Sequence, residues 1–240
     1  YNSKYIKSPP RSAFELRDYI IRNKGRFTFP QPPDFMGTSF LKQILIELID
    51  DKSLLKSKYI IHKHKNALNP LWKWLDQTTP FLWREGKNYP SNYLALTELV
   101  AEREIDIGMA FNIAHASNAI SEGKLPNTVR SYIHKDGTLA NVHFLAIPYN
   151  SGKKTAAKIF VNFLISPEAQ LKKQDKTFWG DPSVITVEKL DKNWKNEFTI
   201  LPRGVATLSN EELKMKLEEP HPSWVKIIEQ GWIEKYGSNN

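Results

Sequence analysis

Apolar residues recur at helical spacing through Phe14, Leu16, Tyr19 and Ile20, and again through Phe40, Leu41, Ile44, Leu45, Leu48 and Ile49. Ser12 and Glu15 form a capping box before the first run, and Gly25 stops it. Between the two runs, "RFTFP" reads as a short strand. "KYIIHK" is expected as another, followed by a Trp-rich helix around Leu71, Trp72 and Leu75 that ends at Thr79-Pro80. Ser91 opens a helix with Leu94, Leu96, Leu99 and Val100 apolar, and "IDIGMAF" (105–111) reads as a buried strand. A helix from about Ala114 to Glu122 stops at Gly123. "VRSYIH" and "ANVHFLAIP" are expected to form a hairpin around Asp136-Gly137. Beyond Pro148 the pattern is helical: "SGKKTAAKIFVNFLI", then "SPEAQLKKQ" capped by Ser166 with Pro167 in first position. A helix capped by Ser209, with Glu212 three residues on, and a last one from Pro222 to about Tyr236 close the chain.

Strands alternating with helices predict an α/β fold with a mainly parallel sheet. Residues 12–125 have the pattern of one compact α/β unit, whereas the region after about 148 is helix-rich, as if part of its sheet lay outside this chain. There is no internal repeat.

Length and composition narrow the picture. The 240 residues allow one large domain or two small ones, and 40% apolar with 12% aromatic residues supplies a core. The longest apolar runs, 139–148 and 159–165, fall short of the roughly 20 residues a membrane span needs. The formal charge of +8 raises nucleic acid as a partner, but acidic residues are interleaved with the lysines and the densest basic stretch, Lys56–Lys65, also holds Tyr59-Ile60-Ile61. The absence of cysteine excludes disulfides, thiolate metal sites and cysteine nucleophiles, and suits an oxidising compartment without requiring one. No signal peptide and no initiator Met are visible, as in a processed or trimmed product.

Candidate chemistry is sparse. Gly37-Thr38-Ser39 lies where a proline-rich loop becomes a helix. A helix start there would offer backbone amides and hydroxyls to a carboxylate, sulfate or phosphate, although a hydroxyl that merely caps the helix is the commoner use. Asn112 ends the "IDIGMAF" strand, the end at which α/β sheets hold ligands, and it could equally cap the next helix. Phe81, Trp83, Tyr89 and Tyr93 could stack on a planar or cationic ligand, though such residues more often pack in a core. His62, His64, His115, His134, His143 and His221 have no metal-ligand spacing, so no metal is expected. No G-x-S-x-G elbow, P-loop or H-E-x-x-H is present, and Asp106, Asp136 and Asp181 mark no acid/base pair, so neither catalysis nor a cofactor is expected.

Three stretches, in order, resemble a family. "ALTELVAEREIDIGMAFNIAHASNAISEG" resembles the helix–strand–helix of bacterial solute-binding proteins, "LANVHFLAIPYNSGKKTAAKIFVNFLISPEAQLKKQ" their return segment, and "YNSKYIKSPPRSAFELRDYI" a hinge crossing. The family is that of extracytoplasmic receptors of ABC importers, in the group that includes sulfate, iron(III), thiamine and polyamine binders. The resemblance implies a type II periplasmic-binding-protein-like α/β fold of two lobes joined by hinge strands, a small solute in the cleft, export to the periplasm, and an ABC permease as membrane partner. Residues 12–135 would be a complete second lobe, 1–11 and 136–148 hinge strands, and 149–240 the C-terminal part of a first lobe that lacks its N-terminal segment. The expected ligand wall is Gly37, Thr38, Ser39, Trp83 and Asn112. No Tyr-Tyr pair supports iron, and carboxylates for a polyamine cannot be placed, so a small anion suits the helix start and the net charge best. The receptor would be a monomer that does no chemistry. The competing readings are a basic α/β protein that binds nucleic acid, and an enzyme on a similar two-lobed fold, for which porphobilinogen deaminase would need the cysteine this chain lacks.

Overall fold

The structure, a computed structural model, describes residues 1–140 and 142–237. Asn141, inside the stretch read as a strand and hinge, and residues 238–240, at the end of the expected first-lobe part, lie outside the described residues. The helices are α1 (Ala13–Arg22), α2 (Phe35–Leu48), α3 (Ile61–His64), α4 (Asn69–Thr78), α5 (Tyr93–Ala101), α6 (His115–Ser121), α7 (Lys154–Leu164), α8 (Pro167–Gln174), α9 (Lys192–Ile200) and α10 (Ser223–Tyr236), with strands β1 (Thr138–Leu139) and β2 (Lys216–Leu217). The chain divides into a larger unit, 1–111, 125–140 and 208–240, and a smaller one, 112–124 and 141–207. Residues 112–124, expected in the second lobe, fall in the smaller unit, and residues from 208 onward fall in the larger.

The larger unit is built around α2. Asp34 starts this helix by accepting the Met36 and Gly37 N–H groups at 2.9 and 3.2 Å, three residues earlier than the expected Gly37-Thr38-Ser39 start. An aspartate cap both fills lone amides and meets the positive end of the helix dipole. Most of α2 is buried, with Leu41, Ile44 and Leu45 inaccessible. It packs against α1, α4 and α10. The Trp74 indole donates to the Ala13 carbonyl at 2.8 Å, which locks α4 to α1. Tyr89 packs edge-on against Trp232 and tilted against Phe29, so it belongs to the core.

The expected parallel sheet is reduced. Among the described residues the strand pairing consists of β1 with β2, parallel through Thr138↔Lys216 and Leu139↔Leu217, and bridges at Asn2↔Val129 and Phe27↔Ile107. "RFTFP" and "IDIGMAF" do lie side by side and parallel, but they meet as a ladder only at Phe27↔Ile107. Pro30 has no N–H to continue it. "KYIIHK" forms no strand: residues 58–60 are irregular with Ile60 extended, the one-turn α3 starts at Ile61, Ile60 and Ile61 are exposed, and the buried His64 accepts the Ile60 N–H on Nδ1 at 2.9 Å, closing the turn. The Asp136-Gly137 turn forms, with Gly137 at φ 103° and its N–H on the His134 carbonyl, but no hairpin follows. Gly137 lies against the Met215 backbone, where a β-carbon would come within 2.8 Å of the Met215 oxygen, and β1 therefore runs beside β2. Gln43 of α2 accepts the Leu139 N–H at 2.9 Å and holds the strand there.

The smaller unit contains α6, α7, α8 and α9 and no strand among the described residues. Helix α9 was not expected, although Asp191 caps it through the Asn193 and Trp194 N–H groups and Trp194, Phe198 and Leu201 recur at helical spacing in an otherwise polar stretch. Polar contacts hold much of this unit. Gln170 is buried, donating to the Leu164 carbonyl at 2.7 Å and accepting from Val184 at 2.9 Å, and Asn118 donates to the Lys176 carbonyl at 2.9 Å.

Candidate functional site

The parallel segments of the larger unit have two distinct ends. At the amino end, Arg26 pairs with Asp106, and the Tyr19 hydroxyl donates to the same carboxylate at 2.9 Å. Burial opposes ionisation of Asp106, but the hydrogen bonds from Arg26 and Tyr19 outweigh it and hold the carboxyl below its ordinary value. Trp83 belongs to this end. Its N–H donates to Phe27 O at 2.9 Å, its indole to Glu104 at 2.5 Å, and the Arg84 guanidinium covers its ring at 4.2 Å. A depression of about 530 Å³ nearby is lined by Lys24, Asp76, Thr79, Glu85, Lys87 and Tyr236. Glu85 bridges Lys24 and Lys87 at 3.3 and 2.9 Å, and Tyr236 donates to Asp76 at 2.6 Å, so the charges on its walls are largely neutralised.

The carboxyl end carries a different surface. Four residues beyond Ile107, about 13 Å at the usual rise, Phe111 lies against Phe35, the first residue of α2. The rings are 4.6 Å apart and tilted by 35°. Both are open to solvent, Phe35 at 56% and Phe111 at 41%. The Gln31 N–H donates to Pro90 O at 3.1 Å, bringing the loop before α5, and with it the exposed Tyr93 and Leu94 of that helix's first turn, to the same end. Two exposed rings at the carboxyl ends of adjacent parallel segments stand where open α/β folds accept ligands.

The expected wall residues are not gathered in one place. Gly37, Thr38 and Ser39 are buried in the first turns of α2. The Gly37 amide is taken by the Asp34 carboxylate and the Thr38 amide by the Asp34 carbonyl at 2.9 Å, so neither faces a solute. The Thr38 hydroxyl donates to Glu229 of α10 at 2.7 Å, and one turn on Lys42, also buried, pairs with Glu219 at 2.5 Å. This face of α2 thus holds the C-terminal region. Trp83 is at the opposite end from Phe111. Asn112 forms a turn of the smaller unit, accepting the Ala114 N–H at 2.8 Å and donating to Trp179 O at 2.7 Å. The two exposed rings are close neighbours of expected residues: Phe35 lies two residues before Gly37, and Phe111 directly precedes Asn112. Phe35 lies outside the apolar stripe of α2, and that mismatch was the available signal.

Comparison with known proteins defines the class. The chain belongs to the bacterial extracellular solute-binding proteins, whose family model matches residues 1–200. A particular relative is Protein YnjB of Escherichia coli (strain K12), 38% identical over 231 residues, which are 96% of this chain and 58% of that protein. The chain therefore spans less than two thirds of the length of the curated relative it matches. No solved structure matches the chain. The family carries the α/β fold expected from the alternating pattern, and no helix among the described residues is long and apolar enough to cross a membrane.

Proposed function

We propose that the chain is the greater part of an exported, periplasmic receptor of an ABC importer, which binds a small solute without transforming it and delivers it to the membrane permease as a monomer. The family match over residues 1–200 carries this reading and favours it over nucleic-acid binding. In the same reading 136–148 is a crossing between lobes, supported by the passage of the chain from the larger unit to the smaller after Ala140. Phe35 and Phe111 form the ligand wall of the larger unit. Flat aromatic faces favour a planar or cationic solute. An anion has less support than the sequence suggested, because Asp34 already places a carboxylate on the start of α2.

Isothermal calorimetry of the natural full-length protein against a solute panel tests the reading. Phe35→Ala and Phe111→Ala should each weaken binding of the recognised solute about tenfold or more, as loss of an aromatic stacking partner does. Because both rings are exposed, thermal stability should change by no more than about 0.5 kcal/mol. Unchanged affinity in both variants would remove these residues from the site.

A further inference from the structure

The segment from Lys52 to Lys65 carries the densest positive charge of the chain and takes no part in the solute site. No acidic residue occurs between Lys52 and Leu75. Asp51, just before the segment, accepts the Ser53 N–H at 2.9 Å. Lys56 pairs with Glu218 at 2.6 Å, and the adjacent Glu219 is taken by Lys42. Lys52, Lys58, Lys63 and Lys65 are exposed and enter no ion pair among the described residues. Between Lys58 and Lys63, Ile60 and Ile61 are 52% and 63% exposed. A lone exposed apolar side chain is ordinary on a protein surface, but solubility alone does not call for two adjacent isoleucines among unpaired cations.

The segment is held in this presentation by α10 and the residues before it. The Trp224 indole donates to Ser57 O at 2.9 Å, the Tyr59 N–H to Ser223 Oγ at 2.8 Å, and the His221 N–H to Leu55 O at 2.7 Å. Tyr59 and the buried His64 pack on the Trp224 ring, with centroids 5.0 and 5.1 Å away. Tyr59 and His64 thus face α10, and the four residues between them are all left outside.

We propose that this corner of the larger unit docks on a bilayer containing anionic phospholipid, with the lysines on headgroup phosphates and Ile60 and Ile61 at the acyl boundary. Charge complementarity selects this occupant. Basic side chains draw a protein to an anionic bilayer, exposed apolar side chains hold it there, and stable membrane binding takes two such signals together. A nucleic-acid surface would offer arginines and free aromatic rings for stacking; the segment has no arginine, and Tyr59 is packed on Trp224. A protein interface depletes lysine. The inference extends the receptor reading, which sets the protein beside a membrane, and vesicles test it without solute, so either can fail alone.

The test is sedimentation of the natural full-length protein with lipid vesicles at low salt. Vesicles of roughly one-third phosphatidylglycerol in phosphatidylcholine should carry the protein down, and pure phosphatidylcholine should not. Each lysine near such a surface contributes roughly fivefold to partitioning. Lys58→Ala, Lys63→Ala and Lys65→Ala combined should therefore lower the partition coefficient about 100-fold. Ile60→Ser with Ile61→Ser, which keeps the charge, should lower it about tenfold or more. All five positions are exposed, so urea midpoints should stay near the parent value; if the double variant is unstable, Ile61→Ser alone should still lose about threefold. Lys153→Ala, Lys154→Ala and Lys158→Ala combined remove the same charge from the smaller unit and should bind like the parent. Absence of binding to the anionic vesicles, an equal loss in that control, or full binding by the isoleucine variants overturns the proposal. Tighter binding to a mixed-sequence DNA duplex than to vesicles, lost with the three lysines and kept without the isoleucines, assigns the surface to nucleic acid and also overturns it.

Discussion

At Gly37 a β-carbon would come within 2.9 Å of the Pro30 carbonyl carbon and closer still to its oxygen. The glycine is therefore required by the close approach of the proline loop to α2, a packing demand and not a ligand's. Gly37→Ala should cost about 3 kcal/mol, the upper range for overpacking a tight site, seen as a lower denaturant midpoint. A loss below about 0.5 kcal/mol would show that the loop yields easily. The hydroxyl of Thr38 and the ammonium of Lys42 illustrate the same point at neighbouring positions. Residue types that could bind an anion are spent on Glu229 and Glu219. The sequence gives no hint of these partners, because the pairs are separated by 191 and 177 residues.

Single elements were legible where local rules suffice. Helix α1 starts at the Ser12 cap as its sequence indicates, with the Glu15 N–H on the Ser12 hydroxyl at 3.2 Å, and α8 starts at Ser166 with Pro167 in first position. The hairpin failed because β1 is placed by contacts with distant elements. Gln43 of α2 accepts the Leu139 N–H, and Gln43 is itself held by Glu47 of the same helix at 2.6 Å, which also accepts from the Ala13 N–H at 2.7 Å and meets His134 Nδ1 at 2.7 Å. Burial alone would raise the Glu47 carboxyl, but His134, Gln43 and the Ala13 amide together hold it below its ordinary value of 4.5. A carboxyl lowered in the fold binds fewer protons there than in the unfolded chain. Its stabilisation is thus complete above about pH 4.5 and is lost as pH falls through the lower folded value, a trend that Asp106 reinforces. Urea midpoints followed from pH 6 down to pH 3 should show this acid limb. Glu47→Gln should lower the midpoint at pH 6, by about 1–3 kcal/mol, and flatten the limb. A variant that keeps the full acid slope would place the linkage elsewhere.

For the whole molecule the uneven distribution of core is the governing feature. The larger unit has a continuous cluster from Leu16 and Ile20 through Leu41, Ile44 and Leu45 to Trp224, Ile228 and Trp232. The smaller unit is built from caps, buried amides and alanine contacts. Hydrogen exchange of the 240-residue chain should therefore protect α2 amides roughly 100-fold more than those of α7, as expected between a core element and one that opens locally. Comparable protection in the two helices would mean that α7 has a core not visible among the described residues. The helix-rich, sheet-poor character of this region was legible in the pattern after Pro148, and so was the resemblance to solute-binding proteins, since both depend on the order of elements along the chain.

The sequence by itself determined the helices with strong caps and periodic apolar faces, the α/β alternation and the family. These follow from local hydrogen bonding, side-chain spacing and order, all of which act over short stretches of chain. Only the tertiary structure decided that the Gly37-Thr38-Ser39 turn is buried, that Trp83 and Phe111 stand at opposite ends of one segment pair, and that Phe35 meets Phe111. Those outcomes depend on which surfaces meet in three dimensions, and burial removes a polar group from a ligand's reach whatever its local sequence offers.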